Sequence, residues 1–239
     1  MSMNNTSSSH TQKSVPRCSR HLPTCSLYFS NWANSVQRVR ALPLSHRLVQ
    51  GMAAVAIIKD KPRFAGALLL GFVALLRACE LVSLTPRQCS FLGSNRTLII
   101  SLPESKGAKR HGQTEQVIIY DTAIISFIHS LAQNRDGFQT IFGYTYLDFA
   151  ADLKSLASFF GLRHPNLTAH GLRRGGATWF FQTTLSYDAT QEHGRWELLK
   201  TARGYINQAT ADAAEFGLPS WGQHRLKRAC AALPHLLSS

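Results

Sequence analysis

Residues His170–Thr178 read His-Gly-Leu-Arg-Arg-Gly-Gly-Ala-Thr, a stretch that places an imidazole and a guanidinium three positions apart. Residues three apart on a helix lie on the same face, so His170 and Arg173 would stand side by side. Such a pair suits a phosphate, because arginine presents a planar fork of donors and histidine adds another donor. By itself the spacing is weak support for a site, since it also occurs on ordinary exposed helix faces.

Two glycines follow in the same predicted helix. Gly175 and Gly176 each cost about 1 kcal/mol relative to alanine inside a helix. They indicate either the close approach of a backbone or of DNA, or simply a loosened helix.

A second candidate group lies at the end of the most apolar run, Phe64–Leu76. Arg77 follows the run directly, and a charge at the end of a buried helix needs a partner. Glu80 is three residues further on and suits that role. The pair is either a simple buried ion pair or an arginine that its own glutamate aims at a ligand phosphate.

Lys106 lies in the turn Ser105-Lys106-Gly107, after a predicted strand. Lysine near other cations has a lowered pKa and can donate a proton to a leaving oxygen. Lys109 and Arg110 are close in sequence, so Lys109 is an alternative proton donor. Alone, Lys106 is also typical of an ordinary turn.

Tyr205 is the candidate nucleophile. It follows Trp196 by nine residues, in the segment that begins at His193. A phenol is a weak nucleophile unless nearby cations lower its pKa. Both aromatic residues are equally typical of packing, and Tyr187 is a rival that we interpret as packing because it precedes Trp196.

Together these segments resemble the tyrosine recombinase (phage integrase) family. Residues His170–Thr178 resemble its HxLRxxxAT box, and Leu76–Leu84 resembles its first-arginine box. Ser105–Gly107 is similar to its β-hairpin lysine motif, and Gly194–Tyr205 is similar to its last box. The four segments occur in the family's order, and the resemblance spans residues from about 41 to 237.

The resemblance implies that the chain cuts and rejoins DNA through a 3′-phosphotyrosyl link, without metal, ATP or another cofactor. In this scheme Arg77 and Arg173 clamp the phosphate, Lys106 protonates the leaving 5′ oxygen, and His170 accepts the tyrosine proton. Trp196 occupies the position that is histidine in many members, and it would supply an indole N–H donor and one wall of the site. The implied catalytic residues are Arg77, Lys106, His170, Arg173, Trp196 and Tyr205, with Glu80 supporting Arg77. The residues predicted to contact DNA are Lys109, Arg110, Arg174 and Arg195.

The predicted fold class is α+β and mainly α, with a helical catalytic core and a small antiparallel three-stranded sheet, as in DNA breaking-rejoining enzymes. Apolar runs bounded by turn residues predict the strands Cys89–Leu92, Thr97–Leu102 and Gln116–Tyr120. Helical spacing predicts a helix capped by Ser45 and ending at Ile57, followed by Phe64–Leu76, Thr122–Gln133, Tyr146–Phe160, Ala169–Thr183, Gln191–Tyr205 and Arg225–Ala232.

The domain organisation is predicted from composition and from the resemblance. Residues 1–26 are polar and rich in serine, which is typical of a disordered tail. Residues 27–40 form a remnant helix or linker, and residues 41–239 form the catalytic domain. The separate DNA-clamping domain that usually precedes it in the family is therefore expected to be missing or truncated.

The charge of the chain favours a polyanionic partner. The chain has 26 lysines and arginines and 13 acidic residues, so its net charge is +13. No acidic residue precedes Asp60. We expect double-stranded DNA as the partner and, from the resemblance, self-association as a tetramer on DNA. No nucleotide partner is expected. No membrane partner is expected either, because the most apolar run, Phe64–Leu76, is too short to cross a bilayer.

The cysteines indicate a reducing environment. Five are present without a CxxC pair, which favours neither a disulfide framework nor a zinc site. A reducing, intracellular location is therefore expected. The DNA substrate implies a location with the genome, which is the nucleus of a eukaryote or the cytoplasm and nucleoid of a prokaryote.

Three functions compete at this stage. The first is an active recombinase or integrase, with relaxation of supercoils by a type IB topoisomerase as a chemically related possibility. The second is a catalytically impaired DNA-binding relic of a mobile-element recombinase, which the short N-terminal region favours. The third is a basic helical scaffold, which requires six coincidences in the right order.

Overall fold

Two apolar helices lie at the centre of the protein, and they are stabilised because most of their side chains are apolar and are buried from water. The computed structural model describes residues 40–103, 112 and 114–238. Helix α1 (His46–Ile58) begins where the Ser45 hydroxyl accepts a hydrogen bond from the Leu48 N–H, as predicted. Helix α2 (Pro62–Val73) starts with a proline at its first position and is buried from Phe64 to its end.

The chain turns sharply after α2, earlier than the predicted end at Leu76. Leu75 adopts a left-handed backbone with φ 49°, which stops the helix. A short helix α3 (Ala78–Ser83) follows, with Arg77 as its N-cap residue. The sequence pattern did not predict α3.

The sheet is antiparallel, with the strand order β1-β2-β3. Strands β1 (Cys89–Leu92) and β2 (Thr97–Leu102) have the predicted bounds, and β3 (Glu115–Ile119) begins one residue earlier than predicted. Ile99 of β2 pairs with Ser90 on one side and Ile118 on the other. Every second residue of β2 is buried, so one face of the sheet packs on the helices.

Three longer helices follow the sheet and add to the core. Helix α4 (Thr122–Gln133) has the predicted bounds and is capped by Asp121. Helix α5 (Tyr146–Phe159) ends before Gly161, whose φ of 83° explains the predicted glycine stop. Helix α6 (His170–Thr184) carries the histidine–arginine pair in its first turn.

The last part of the chain differs most from the prediction. Instead of a single helix over Gln191–Tyr205, helices α7 (Tyr187–His193) and α8 (Leu199–Tyr205) are separated by a turn in which Arg195 has φ 55°. Helix α9 (Gln208–Phe216) was not predicted. Helix α10 (Ser220–Ser238) is longer than the predicted Arg225–Ala232.

Helix α9 is attached to the start of α1 by a buried carboxylate. Glu215 accepts hydrogen bonds from the Ser45 hydroxyl at 2.5 Å and from Arg47 Nη1 at 2.6 Å. This attachment fixes the segment that follows Tyr205.

The glycines of α6 permit close backbone contact. A Cβ atom on Gly171, Gly175 or Gly176 would lie within 3.0 Å of a backbone oxygen. The three oxygens belong to Leu42, Leu44 and Phe72. The close approach of a backbone therefore explains Gly175 and Gly176, which the sequence left open.

The mainly helical α+β fold class with a three-stranded antiparallel sheet is confirmed. The predictions for residues 1–26 and most of 27–40 lie outside the described residues. Within the described ranges, no helix combines the length and apolarity needed to cross a bilayer.

Candidate active site

The site begins at the turn between α2 and α3, where Arg77 is held by Glu80. The Arg77 backbone N–H donates to Glu80 Oε2 at 2.7 Å, and its Nη1 donates to Oε1 at 2.5 Å. Glu80 is buried, whereas the Arg77 side chain remains 25% exposed. Arg77 is therefore fixed by its neighbour and still within reach of a ligand.

Arg195 also pairs with Glu80, although we expected it to contact DNA. Its side chain is 5% exposed, and its Nη2 donates to Glu80 Oε2 at 2.9 Å. Its Nη1 donates to Glu115 Oε2 at 3.3 Å, and the same oxygen lies 3.8 Å from Arg77 Nη1. Arg195 is thus an internal residue, and Glu115 of β3 is a site residue that the sequence did not indicate.

These ion pairs determine the protonation of Glu80. Burial alone would raise its pKa, but Arg195 and, after it, Arg77 outweigh that effect and hold the pKa of Glu80 below its ordinary value. The carboxylate therefore stays charged at neutral pH.

Arg173 lies in the interior, between the turn that contains Leu75 and the turn that contains Gly194. It is 1% exposed, and its Nη2 donates to the Gly194 carbonyl at 2.6 Å. Its Nη1 donates to the Leu75 carbonyl, which also accepts from Arg195 Nη2 at 3.3 Å. Burial, followed by Arg195 and Arg77, lowers the pKa of Arg173 to about 10, so it keeps its charge at neutral pH.

The predicted nucleophile lies beside this buried arginine. Tyr205 is half-buried, and its ring centroid lies 4.6 Å from that of Trp196 and 5.3 Å from that of His170. The Arg173 Cζ lies 4.9 Å from the Trp196 ring centroid and 5.7 Å from that of Tyr205. Four residues separated by up to 35 positions in sequence are therefore brought together.

His170 is the first residue of α6 and keeps an exposed side. Partial burial, followed by the positive charges of Arg173, Arg174 and Arg77, lowers its pKa. The imidazole is therefore neutral at neutral pH and able to accept a proton.

A second pair of arginines, Arg174 and Arg40, lies near the tyrosine. Arg174, which we expected to contact DNA, is 6% exposed, and burial followed by the charge of Arg40 lowers its pKa. Arg40 is exposed and its Nη1 donates to the Gly204 carbonyl at 3.0 Å, next to Tyr205. Arg40 lies outside every motif, and the sequence indicated it only as one member of the basic stretch before Asp60.

His193 is another residue that sequence reasoning missed. Its ring stacks on Phe180 with centroids 4.2 Å apart, and its Nε2 lies 2.7 Å from the Val73 carbonyl. This contact joins α7 to the end of α2 and places the neighbouring Gly194 carbonyl near Arg173. The remaining predicted site residues, Lys106, Lys109 and Arg110, lie outside the described residues.

Comparison with known proteins gives the fold but no close relative. No protein-family profile and no curated protein sequence matches the chain. The XerH site-specific recombinase bound to its difH substrate before cleavage matches at 19% identity and a TM-score of 0.56, over 74% of this chain and 53% of that one. The chain therefore spans about half the length of the XerH recombinase.

Two further structures have the same fold. XerA recombinase matches at 15% identity and a TM-score of 0.55, over 76% of this chain and 64% of that one. The Tn1549 transposon integrase in complex with transposon right end DNA matches at 18% identity and a TM-score of 0.54, over 80% of this chain and 67% of that one. The fold expected from the resemblance to tyrosine recombinases is confirmed.

Proposed function

We propose that this chain is the catalytic domain, over residues 41–239, of a site-specific DNA recombinase or integrase whose nucleophile is Tyr205. One observation carries the proposal: the Tyr205 ring lies against the His170 imidazole and within 5.7 Å of the Arg173 guanidinium carbon. A phenol between a proton acceptor and a fixed cation has what it needs to become a nucleophile. Recombinase and integrase structures with this fold contain DNA, which supports DNA as the substrate.

The proposed reaction begins when Tyr205 Oη attacks the phosphorus of a DNA phosphodiester. The bond from phosphorus to the 5′ oxygen breaks, and a 3′-phosphotyrosyl link forms. The tyrosine proton passes to His170, whose lowered pKa keeps its imidazole neutral and therefore free to accept a proton at neutral pH. Lys106, or Lys109 as the alternative, supplies the proton that turns the leaving oxygen into a 5′-OH.

Rejoining is the same reaction in reverse. The 5′-OH of another strand attacks the phosphotyrosine and releases Tyr205. The phosphoester bond is exchanged rather than hydrolysed, so the scheme balances without ATP or a metal ion.

The arginines stabilise the charge that develops on the phosphate. Arg77, which is partly exposed, binds a non-bridging oxygen. Arg173 lies against the rings of Trp196 and Tyr205. It comes closer to the phosphate when the Tyr205 side chain turns toward that phosphate. Trp196 contributes an indole N–H and shields this charge from water.

A nicked suicide duplex tests the nucleophile. The unaltered protein should form a protein–DNA adduct that survives denaturation, whereas Tyr205→Phe should bind the duplex and form none. Tyr187→Phe is the matched control, because Tyr187 packs on Phe181 with ring centroids 4.3 Å apart and should remain dispensable. An adduct in Tyr205→Phe would show that another residue attacks.

A second candidate is a DNA-binding relic without cleavage activity. It is favoured by the burial of Arg173, whose two terminal nitrogens donate to the Leu75 and Gly194 carbonyls. A relic would bind the duplex and yield no adduct even from the unaltered protein.

Assembly and location belong to the same proposal. Strand exchange requires two duplexes to be held together, so we expect a tetramer on double-stranded DNA, in the compartment that holds the genome. Cross-linking with and without a target duplex measures this assembly, and a species that stays monomeric on DNA would contradict it.

A further inference from the structure

Four charged side chains of alternating sign form one ion-pair cluster: Arg77, Glu80, Arg195 and Glu115. We propose that Arg195 is a positioning residue that orients Arg77 through the two glutamates, and this inference rests on the proposed function. Both Nη atoms of Arg195 are engaged by Glu80, Glu115 and the Leu75 carbonyl, and its side chain is 5% exposed. It acts through its neighbours.

The backbone holds Arg195 in an unusual conformation. Its φ of 55° lies in the left-handed region, which is uncommon for a side chain of this size. Leu75 is likewise left-handed, with φ 49°, and its carbonyl accepts from both Arg195 and Arg173. Two strained turns thus meet at one carbonyl, and the Arg195 side chain is inserted at their junction.

The two oxygens of Glu80 bind the guanidinium groups of different arginines. Oε1 accepts from Arg77 Nη1 at 2.5 Å, whereas Oε2 accepts from Arg195 Nη2 at 2.9 Å and from the Arg77 backbone N–H at 2.7 Å. Without Arg195, Oε2 could also accept from the Arg77 guanidinium, and a forked pair would engage two of its nitrogens. Arg195 therefore limits the contact between Glu80 and the Arg77 guanidinium to Nη1 and leaves the other guanidinium donors of Arg77 for the phosphate.

Glu115 adds a second restraint from the sheet. Its Oε2 lies 3.3 Å from Arg195 Nη1 and 3.8 Å from Arg77 Nη1, so it bridges the same two arginines. The two carboxylates also offset the charges of Arg77 and Arg195, which would otherwise repel each other and Arg173. Arg77 can then hold a fixed position beside two other cations.

Single-turnover cleavage of the suicide duplex tests this role. Arg195→Met should slow adduct formation about a hundredfold, the scale of a misplaced catalytic group, while the Kd for DNA changes by less than about twofold. Arg195→Lys keeps the charge but cannot reach both carboxylates, and it should fall between Arg195→Met and the unaltered protein. Arg228→Met, on the exposed face of α10, is the control for loss of an arginine.

A double-mutant cycle separates positioning from a general structural role. In a Glu80→Gln background, the effect of Arg195→Met on the rate should shrink by about fivefold or more, because the two residues act through one contact. Independent, multiplying effects would overturn the proposal. So would a weakened Kd with an unchanged rate, which would make Arg195 a DNA contact instead.

A readout without activity keeps this inference distinct from the proposed function. The guanidinium protons of Arg77 should exchange slowly with water in the unaltered protein and faster in Arg195→Met or, should that variant not fold, in Arg195→Lys. If the unaltered protein forms no adduct, the proposed function fails, and the exchange rates still decide whether Arg195 orders Arg77. Equal exchange in the variant and the unaltered protein would refute it.

Discussion

Glu80 is the residue on which the charges of the site converge. It accepts from the Arg77 backbone, from the Arg77 side chain and from Arg195, and only 8% of it is exposed. Removing one member of a buried ion-pair network costs more than removing an exposed pair, because the partner charges stay buried. The protein should therefore depend on the ionised state of this carboxyl.

The pH dependence of stability tests that dependence. The pKa of Glu80 is lowered in the folded protein, so its contribution is present above the ordinary value of 4.5 and is lost as pH falls through the folded value. Glu80→Gln should cost about 3 kcal/mol at neutral pH, and the difference from the unaltered protein should shrink in acid. Urea unfolding across the pH range measures it, with Glu192→Gln, an exposed glutamate, as the control. A difference that stays constant down to acid pH would contradict this.

Gly175 shows how one missing side chain sets the position of a helix. A Cβ atom there would collide with the backbone oxygen of Leu44, which cannot move like the end of a flexible side chain. Gly175→Ala should therefore lower the free energy of unfolding by about 1–3 kcal/mol despite the better helix propensity of alanine. At Gly204 an added Cβ meets only Arg40 Nη1 at 3.9 Å, so Gly204→Ala is the matched control and should be neutral or stabilising. Chemical denaturation compares the two, and equal stabilities would remove the steric explanation.

At the scale of elements, one hydroxyl joins the tyrosine helix to α6. Thr178 is 2% exposed and donates to the Arg174 carbonyl at 3.0 Å, while it accepts from the Asn207 N–H at 3.0 Å. Asn207 is the N-cap residue of α9 and lies two residues after Tyr205. The bond therefore fixes the backbone just past the proposed nucleophile.

Replacing Thr178 by valine tests this joint. The Asn207 N–H would lose its acceptor, so the free energy of unfolding should fall by about 1–3 kcal/mol. Adduct formation should slow as well, since the end of α8 is released. Thr183→Val is the control, because the Thr183 hydroxyl bonds only the Phe180 carbonyl of its own helix among the contacts of the described residues. Equal losses of unfolding free energy in Thr178→Val and Thr183→Val would show that the hydrogen bond to Asn207 does not contribute to stability.

The elements that the sequence predicted well are those with local signals. Strand β2 alternates buried and half-buried residues, and α4 has both an aspartate cap and a helical apolar stripe. The predicted helix over Gln191–Tyr205 was wrong because Arg195 breaks it. Its left-handed turn is supported by contacts with Glu80 and Leu75, which lie 115 and 120 positions away in sequence. No local pattern reports such contacts.

At the scale of the whole molecule, the motif order predicted which distant residues would meet. Arg173, Trp196 and Tyr205 lie in ring or cation contact. The sequence could not predict that Arg173 and Arg195 would turn inward, because their partners are backbone carbonyls and carboxylates supplied by other elements. It missed Glu115 for the same reason.

The net charge of +13 leads to a prediction about binding to DNA. A protein that neutralises about six to ten phosphates should lose about 10³–10⁵ in affinity between about 50 and 200 mM salt. Fluorescence anisotropy with a labelled duplex measures the slope of log Kd against log salt concentration. Tyr205→Phe should keep the slope of the unaltered protein, because the substitution removes one hydroxyl and no charge. A slope near zero would mean that phosphates are not the main contact, and the proposal that DNA is the substrate would then have to be abandoned.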